Sequence, residues 1–320
     1  MTAGAIARIV DYQLDGDTVE FGLLYLLLVA VSVFEFVAVE WLYDPVDAAI
    51  SIGPGGVMLV GSILGVTGLV VAPLLFVRLR GVAVPTRLPG RGAVTTAVLA
   101  VVAPLGILAV MAGVAHVLLQ STISGVTQGW YGSEVSVAFL VQMAILPALL
   151  TGIGYGLLFN GAVQGAIRER FDARSGIAVV AVIGGAYQLF HPEVGSRPVS
   201  LAFGLVLFGL VVLLGYVACL LVRFRDGTDG VRERLTHPQT MVLVLGIVTV
   251  ASLLVDVAMG GTELTEVLLT GSWTAVFAVA AIGYERTRSI WVPMLSVAVF
   301  QLAIGLTQYA EFLYGFAAAP

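Results

Sequence analysis

Long uninterrupted apolar runs dominate the sequence, in place of the alternation of strands or the one-faced pattern of soluble helices. Runs of more than about 18 apolar residues are typical of membrane-spanning helices. A helix satisfies its own backbone hydrogen bonds in lipid, and the alternation of barrel strands is missing. We therefore predict an all-α, polytopic transmembrane helix bundle of about nine spans. The predicted helices cover residues 21–42, 57–77, 93–118, 135–165, 177–191, 199–222, 240–259, 266–284 and 290–314.

The composition supports a bilayer as the solvent. Hydrophobic residues make up 59% of the 320 residues and charged residues only 11%, whereas a soluble domain is about half apolar and about a quarter charged. The net charge of -5 argues against nucleic acid as a partner. Cys219 is the only cysteine, so the chain can form no internal disulfide and no site of several thiolates, and we expect a small buried residue there.

Arginine placement predicts the orientation, since cytoplasmic loops collect positive charge. With about nine spans, fourteen arginines fall in loops on one side and only Arg197 falls on the other. Residues 1–20 lack the pattern of a signal peptide and are expected to be a cytoplasmic segment before a retained first span. We thus predict a multi-pass protein of the cell membrane, surrounded by lipid, with its amino terminus in the cytoplasm and its carboxyl terminus outside.

Small residues and prolines within the runs predict how the helices pack. Gly152 and Gly156, like Gly161 and Gly165, are four residues apart, a spacing that lets two helix backbones approach closely in lipid. Prolines are expected to bend their spans because each removes a backbone hydrogen bond. These prolines are Pro104, Pro147 and Pro293.

Ionisable residues at membrane depth are costly and therefore mark candidate functional positions. We interpret His116 as an interfacial histidine, and expect Glu40 and Glu311 to reach water. Glu35 and Asp256 fall in the outer halves of their spans, where they form either a proton or ion relay or neutral acids lining the bundle. Amides at depth more often bridge helices than perform chemistry. They are Gln142, Asn160, Gln164, Gln188 and Gln301.

His191 is the sharpest candidate. It ends the short fifth span in the string GGAYQLFHPE, and Pro192 follows it. About fourteen helical residues span roughly 21 Å, less than the 30 Å of hydrocarbon, so His191 is expected below the outer surface. There an imidazole is either a metal ligand, a base or a hydrogen-bonded structural residue.

Three stretches carry a resemblance to a known family: GLLFNGAVQGAIRERF, AVVAVIGGAYQLFH and IGYERTRSIWVPMLSVAVFQ. Residues from about 135 to 315 resemble the CPBP family of intramembrane proteases, which process CAAX proteins and bacteriocins. The resemblance implies a three-span region at 21–134 and a CPBP-like region at 135–320 that contains an extra helical insertion at about 199–265. It also implies that paired glutamates activate a water, with histidines and a metal such as zinc, for attack on a peptide bond.

The motif positions of the family are mostly altered in this chain. The paired glutamates correspond to Tyr155 and Gly156, and the arginine of the same motif to Asn160. The later positions, FxxxH and HxxxN/D, correspond to Tyr187 and His191 and then to Val297 and Gln301. Counting 1.5 Å per residue places four of them, Tyr155, His191, Val297 and Gln301, roughly 13 to 21 Å from the cytoplasmic boundary, where they could face one cavity.

Three functions follow from these observations as hypotheses. The first is a noncatalytic, protease-like scaffold that binds a membrane-embedded or lipidated peptide. The second is an active intramembrane peptidase with a displaced site, in which His191 is joined by Glu35, His116 or Asp256, since one histidine alone cannot hold a catalytic metal. The third is a transporter or ion pathway that uses Glu35 and Asp256.

Overall fold

The structure is a computed structural model, and it describes residues 16–37, 54–127, 136–189, 213, 216–217 and 264–314. Over these ranges the protein is helical and contains no strand. Four helices are long and apolar enough to cross a membrane, which confirms the predicted class of helical membrane protein. They are Arg91–Leu118, Val141–Arg170, Leu264–Thr287 and Trp291–Leu313.

Eight helices are numbered here in chain order. The first four are α1 (Gly16–Val37), α2 (Pro54–Arg80), α3 (Val94–Leu118) and the short α4 (Ile123–Thr127). The composite helix α5 follows and runs from Val137 to Arg170. After it come α6 (Ala173–Leu189), α7 (Leu264–Thr287) and α8 (Trp291–Leu313). The α1, α2, α3, α5, α6, α7 and α8 helices coincide with predicted spans, although several ends differ by a few residues. The predicted spans at 199–222 and 240–259 lie outside the described residues, apart from residues 213, 216 and 217, which are helical.

Helix α5 changes its winding along its length. It starts as the α-helical turn Val137–Leu140 and passes through the π-helical turn Val141–Ile145. The α-helix Leu146–Tyr155 comes next, and the chain then widens into a second π-helix at Gly156–Gln164 before it finishes as Gly165–Arg170. Wide π-helical segments of this kind are frequent at functional positions. The second one contains Asn160 and Gln164, two of the amides singled out in the sequence.

Packing places α5 between α2 on one side and α6 and α8 on the other, while α7 contacts α3, α6 and α8. Residues 158–167 of α5 are buried almost without interruption. By contrast, α3 is mostly exposed on the described bundle, as expected for a helix that faces lipid. The centre of α5 is therefore the most enclosed part of the described protein.

Close approach of α5 and α8 depends on the predicted glycine pair. A Cβ atom added at Gly152 would lie 2.6 Å from both Ala298 Cβ and the Met294 carbonyl oxygen. One added at Gly156 would lie 2.5 Å from Met294 Cγ. Both distances are far below van der Waals contact, so the prediction of close packing through Gly152 and Gly156 is confirmed.

One end of the bundle collects the described arginines. Helices α2, α5 and α7 finish there in Arg80, Arg170 and Thr287, and α1, α3, α6 and α8 start there. The loop between α2 and α3 is tied to the start of α8, since the Ile290 N–H donates to the Pro85 carbonyl at 2.9 Å. We call this the arginine-rich end. The count of nine spans, the cytoplasmic amino terminus and the outer carboxyl terminus remain predictions.

Candidate functional site

Aromatic rings occupy the centre of the region that the family resemblance singles out. The ring centroids of Tyr155 and Tyr187 are 5.9 Å apart, and Phe159 lies 5.6 Å from Tyr155 and 5.5 Å from Tyr187. From α7, Phe277 lies 4.7 Å from Phe159, and Trp273 lies 6.0 Å from Tyr155. Most of these pairs meet edge to face, which is a favourable geometry for rings. These five residues, Tyr155, Phe159, Tyr187, Trp273 and Phe277, are called the aromatic cluster below.

The structure therefore brings together Tyr155 and Tyr187, two of the positions that the resemblance matches to the family motifs. Tyr155 is 4% exposed and Tyr187 is 1% exposed, and each also makes a polar or ring contact beyond those given above. Both rings belong to the main apolar core. The side chains at these positions fill the interior of the bundle.

Gly156, at the position of the second family glutamate, leaves no room for a side chain. Its ideal Cβ would lie 3.2 Å from the Met294 backbone nitrogen and Cα as well as 2.5 Å from Met294 Cγ. A glutamate at Gly156 would require α8 to move away from α5. The space that a carboxylate would need is thus used for helix packing.

Positions from the last family motif lie on α8. Val297 is fully buried and belongs to the main apolar core, which also contains Tyr155 and Tyr187. Gln301 is half-buried on the same helix. His191 lies outside the described residues, as does Asp256, so the predicted constellation around His191 stays a prediction.

A chain of buried amides leads from the π-helix of α5 to the arginine-rich end. Gln164 donates from Nε2 to the Ala281 carbonyl at 3.2 Å and to Glu285 Oε1 at 2.9 Å. Because a carbonyl only accepts, the Gln164 amide oxygen must face the other way, and it accepts from Asn160 Nδ2 at 2.8 Å. This fixes the Asn160 amide too, and leaves Asn160 Oδ1 buried without a partner among the described residues.

Glu285 joins that amide chain to two arginines. Arg168 Nε lies 3.0 Å from Glu285 Oε1, and Arg288 Nη1 lies 3.7 Å from Oε2. The Glu285 side chain is 7% exposed, whereas the two guanidinium-bearing side chains reach solvent. Asn160, the position of the family arginine, is therefore connected through Gln164 to a cation on the same helix.

A second buried carboxylate binds three helices at the same end. Glu20 of α1, whose side chain is 1% exposed, lies 2.5 Å from Arg80 Nη2 at the end of α2 and 3.0 Å from Arg170 Nε at the end of α5. Both hydrogen bonds use Glu20 Oε2. Glu20 thereby fixes α1 against the two helices that finish beside it.

Other candidates from the sequence lie apart from this region. His116 is exposed in the last turn of α3, and its interfacial position stays a prediction. Glu35 belongs to α1, and its side chain lies outside the described residues, as does Glu40. Glu311 was expected to reach water, yet its two oxygens accept hydrogen bonds from the N–H groups of Ile123 and Ser124 at 2.8 Å each, because it caps the first turn of α4.

No described group of three or more His, Cys, Asp or Glu side chains is arranged to hold a metal ion. Around the aromatic cluster and the arginine-rich end, the described side chains offer amide groups, phenols and the carboxylates of Glu20 and Glu285, each of which contacts arginines, while the His116 imidazole lies apart in the last turn of α3. Such groups hydrogen-bond and hold helices together, but a nucleophilic water also needs a free base or a metal.

Sequence reasoning missed Glu20, Glu285 and their arginine partners as interacting groups. The arginines had served only as markers of orientation. Glu20 pairs with Arg80 and Arg170, which are 60 and 150 positions away in the sequence. Gln164 pairs with Glu285, which is 121 positions away. Separations of this size leave no periodic signal in a single sequence, so only the packing of the helices shows the pairs.

Comparison with known proteins identifies no relative of this chain. No family model, no curated protein and no solved structure matches the chain. The protein is a helical membrane protein whose likeness to the CPBP proteases rests on the quoted sequence stretches alone.

Proposed function

We propose that the protein is a noncatalytic, CPBP-like membrane scaffold that binds a membrane-embedded or lipidated peptide. One observation carries the noncatalytic part: at Gly156 an added Cβ would lie 2.5 Å from Met294 Cγ. The position of a family glutamate is thus a packing contact between α5 and α8. The peptide-binding part rests on the resemblance of residues 135 to 315.

The aromatic cluster supports the same proposal. Where the family carries the first glutamate and the phenylalanine of FxxxH, this chain has Tyr155 and Tyr187 in ring contact at 5.9 Å. Neither side chain offers a carboxylate that could activate a water. Edge-to-face ring contacts stabilise the interior of a helix bundle, and they provide no acid–base pair for hydrolysis.

The test measures cleavage, metal and binding on the full chain in lipid nanodiscs. The probe is a fluorescent farnesylated CAAX peptide, and the same peptide without the farnesyl group is the control. We expect saturable binding of the farnesylated peptide, no cleavage and no stoichiometric zinc. Cleavage or bound zinc that disappears in His191→Ala would overturn the noncatalytic reading in favour of a displaced peptidase site.

Equal, non-saturable uptake of both peptides would contradict the binding part of the proposal. A variant that retains the fold provides a matched reference, because Tyr155→Phe keeps the ring and removes only the hydroxyl. Under the proposal, Tyr155→Phe binds the farnesylated peptide as the unmodified chain does. The alternative of an ion pathway through Glu35 and Asp256 stays a hypothesis, since both side chains lie outside the described residues.

A further inference from the structure

The loop between α2 and α3 is held in a fixed place at the arginine-rich end. Helix α2 stops at Gly81, whose φ of +69° is a left-handed conformation that glycine adopts without strain. The Val82 N–H then returns to the Val77 carbonyl at 3.1 Å, which closes the helix end. Further along, Trp291 Nε1 donates to the Thr86 carbonyl at 2.8 Å. Residues 87–91 therefore follow directly from an anchored point beside α8.

This loop carries positive charge without any neighbouring acid in sequence. Residues 54–127 contain four arginines and no aspartate or glutamate. Arg80 pairs with Glu20. The other three are exposed, and within the described ranges no carboxylate lies at ion-pair distance from them. They are Arg78, Arg87 and Arg91.

Large apolar side chains are exposed between these arginines. Leu88 is 77% exposed and Leu79 is 84% exposed. Trp291, whose indole N–H anchors the loop, is itself 44% exposed. Tryptophan and arginine beside leucine are typical of the level where the acyl chains of a bilayer meet the headgroups. The apolar helices α2 and α3 end at this loop, so it lies at that level.

The exposed arginine and leucine side chains of this loop are complementary to an anionic phospholipid. A guanidinium group forms paired hydrogen bonds with phosphate oxygens, and arginine does so better than a point-charge ammonium group. An exposed leucine next to it is compatible with acyl chains and unfavourable beside free water. A soluble anion would use the arginines and leave Leu88 without a role.

We propose that the Arg87–Arg91 loop binds the headgroup of an anionic phospholipid, with Arg87 and Arg91 on the phosphate and Leu88 among the acyl chains. Arg78 and Leu79, at the end of α2, extend the same surface. This proposal is independent of the peptide-binding function, because it uses neither the aromatic cluster nor His191.

The test titrates the purified full chain with phosphatidylglycerol and with phosphatidylcholine, and counts retained lipids by native mass spectrometry. An arginine near an anionic surface contributes about fivefold in affinity. Arg87→Gln should therefore weaken retention of phosphatidylglycerol about fivefold, and the double variant Arg87→Gln/Arg91→Gln about 25-fold. Leu88→Ser should weaken it several-fold, and phosphatidylcholine retention should not change.

Arg286→Gln is the matched control, because Arg286 is also exposed at the arginine-rich end but does not belong to the loop. It should change retention of phosphatidylglycerol less than twofold, and all variants should keep the helical circular dichroism of the unmodified chain. Equal losses in Arg87→Gln and Arg286→Gln would overturn the proposal in favour of a general charge effect. Displacement of the lipid by millimolar inorganic phosphate, with no effect of Leu88→Ser, would overturn it in favour of a free-anion site.

Discussion

The aromatic cluster and the arginine-rich end are built on the same helices with different chemistry. In the cluster, α5, α6 and α7 meet through rings whose centroids lie 4.7 to 6.0 Å apart. At the arginine-rich end, two buried carboxylates, Glu20 and Glu285, each contact two arginines. Tyr155 and Tyr187, which only the sequence resemblance matches to family motif positions, lie in the cluster, whereas Glu20 and Glu285 lie at the arginine-rich end.

The two regions of the described protein therefore differ in the interactions that stabilise them and in the groups that are available for chemistry. Shape and close contact decide stability in the cluster, so changes of volume there should have large effects. Charge pairing decides stability at the arginine-rich end. Water screens the partly exposed arginines there, so single substitutions should lower the free energy of unfolding by less. The following predictions use that contrast, measured as the free energy of unfolding in mixed micelles of lipid and denaturing detergent.

The largest effect is expected inside the aromatic cluster. Phe159 is fully buried and contacts Tyr155, Tyr187 and Phe277. Phe159→Ala should lower the free energy of unfolding by about 3 kcal/mol, because it leaves a cavity among rings that cannot close fully. Leu99→Ala, at a position that is 64% exposed on α3, is the control and should cost less than about 1 kcal/mol. Equal costs would mean that the cluster is not a packed core.

Next in size is a change at the contact between α5 and α8. Gly152→Ala would place a methyl group 2.6 Å from the Met294 carbonyl oxygen and should lower the free energy of unfolding by about 2 kcal/mol. Gly106→Ala on α3 meets no atom within 4 Å and should be neutral or slightly stabilising. If both variants unfold alike, α5 and α8 do not approach at Gly152.

A smaller effect is expected from the carboxylate of Glu20. Glu20→Gln keeps the shape of the side chain but removes the charge that Arg80 and Arg170 share, so we expect a loss of about 1 to 2 kcal/mol. The two arginine side chains are 30% and 36% exposed, and water therefore limits the cost. Glu169→Gln, an exposed neighbour, should change the free energy by less than about 0.5 kcal/mol. A cost at Glu169 as large as at Glu20 would contradict the assignment.

The smallest effect concerns the start of α6. The Asp172 carboxylate accepts the Ser175 backbone N–H at 2.8 Å, which caps the helix. Burial raises the pKa of the Asp172 carboxyl, but the hydrogen bond from Ser175 and the Arg174 cation outweigh this and hold the pKa below its ordinary value. A lowered pKa means that this stabilisation is present above the unfolded-state pKa of about 4 and is lost as the pH falls through the folded-state value.

Asp172→Ala should therefore cost about 1 kcal/mol at neutral pH, and the difference from the unmodified chain should shrink when unfolding is followed below about pH 4. Asp172→Ser keeps a capping oxygen without a titrating charge, so its own capping contribution should not vary with pH. A cost of Asp172→Ala that stays constant from neutral to acidic pH would contradict the charged cap.

Sequence alone was sufficient for the class of fold and for much of its packing. Apolar runs located α3, α7 and α8 within a few residues, because length and hydropathy suffice in a bilayer. The spacing of Gly152 and Gly156 predicted the close contact with α8, since small residues are what such contacts require. Depth counting placed Tyr155 and Val297 at similar depths because helical rise is nearly constant, and both are buried in the apolar core.

The remaining contacts depend on which faces of sequence-distant helices meet. No local sequence pattern shows which faces these are. The π-helix at Gly156–Gln164 changes the register of α5, so a 3.6-residue count cannot orient Asn160. Glu311 shows the same limit, because its cap on α4 joins it to Ile123 and Ser124, which are 188 and 187 positions away in the sequence. His191 and Asp256 lie outside the described residues, and the hypotheses that use them remain predictions.

The proposed noncatalytic function requires that positions matched to the family motifs by resemblance, among them Tyr155, Gly156 and Val297, are packing positions closed to water. It is tested most directly at Val297, which is fully buried and whose replacement Val297→Cys is close to isosteric. In a Cys219→Ser background, the rate of labelling by a hydrophilic maleimide would be compared with that of Thr86→Cys in the exposed loop. The account predicts rapid labelling of Thr86→Cys and none of Val297→Cys until the protein is denatured. Comparable labelling of both in the native protein would reveal a water-accessible site at that position and contradict the account.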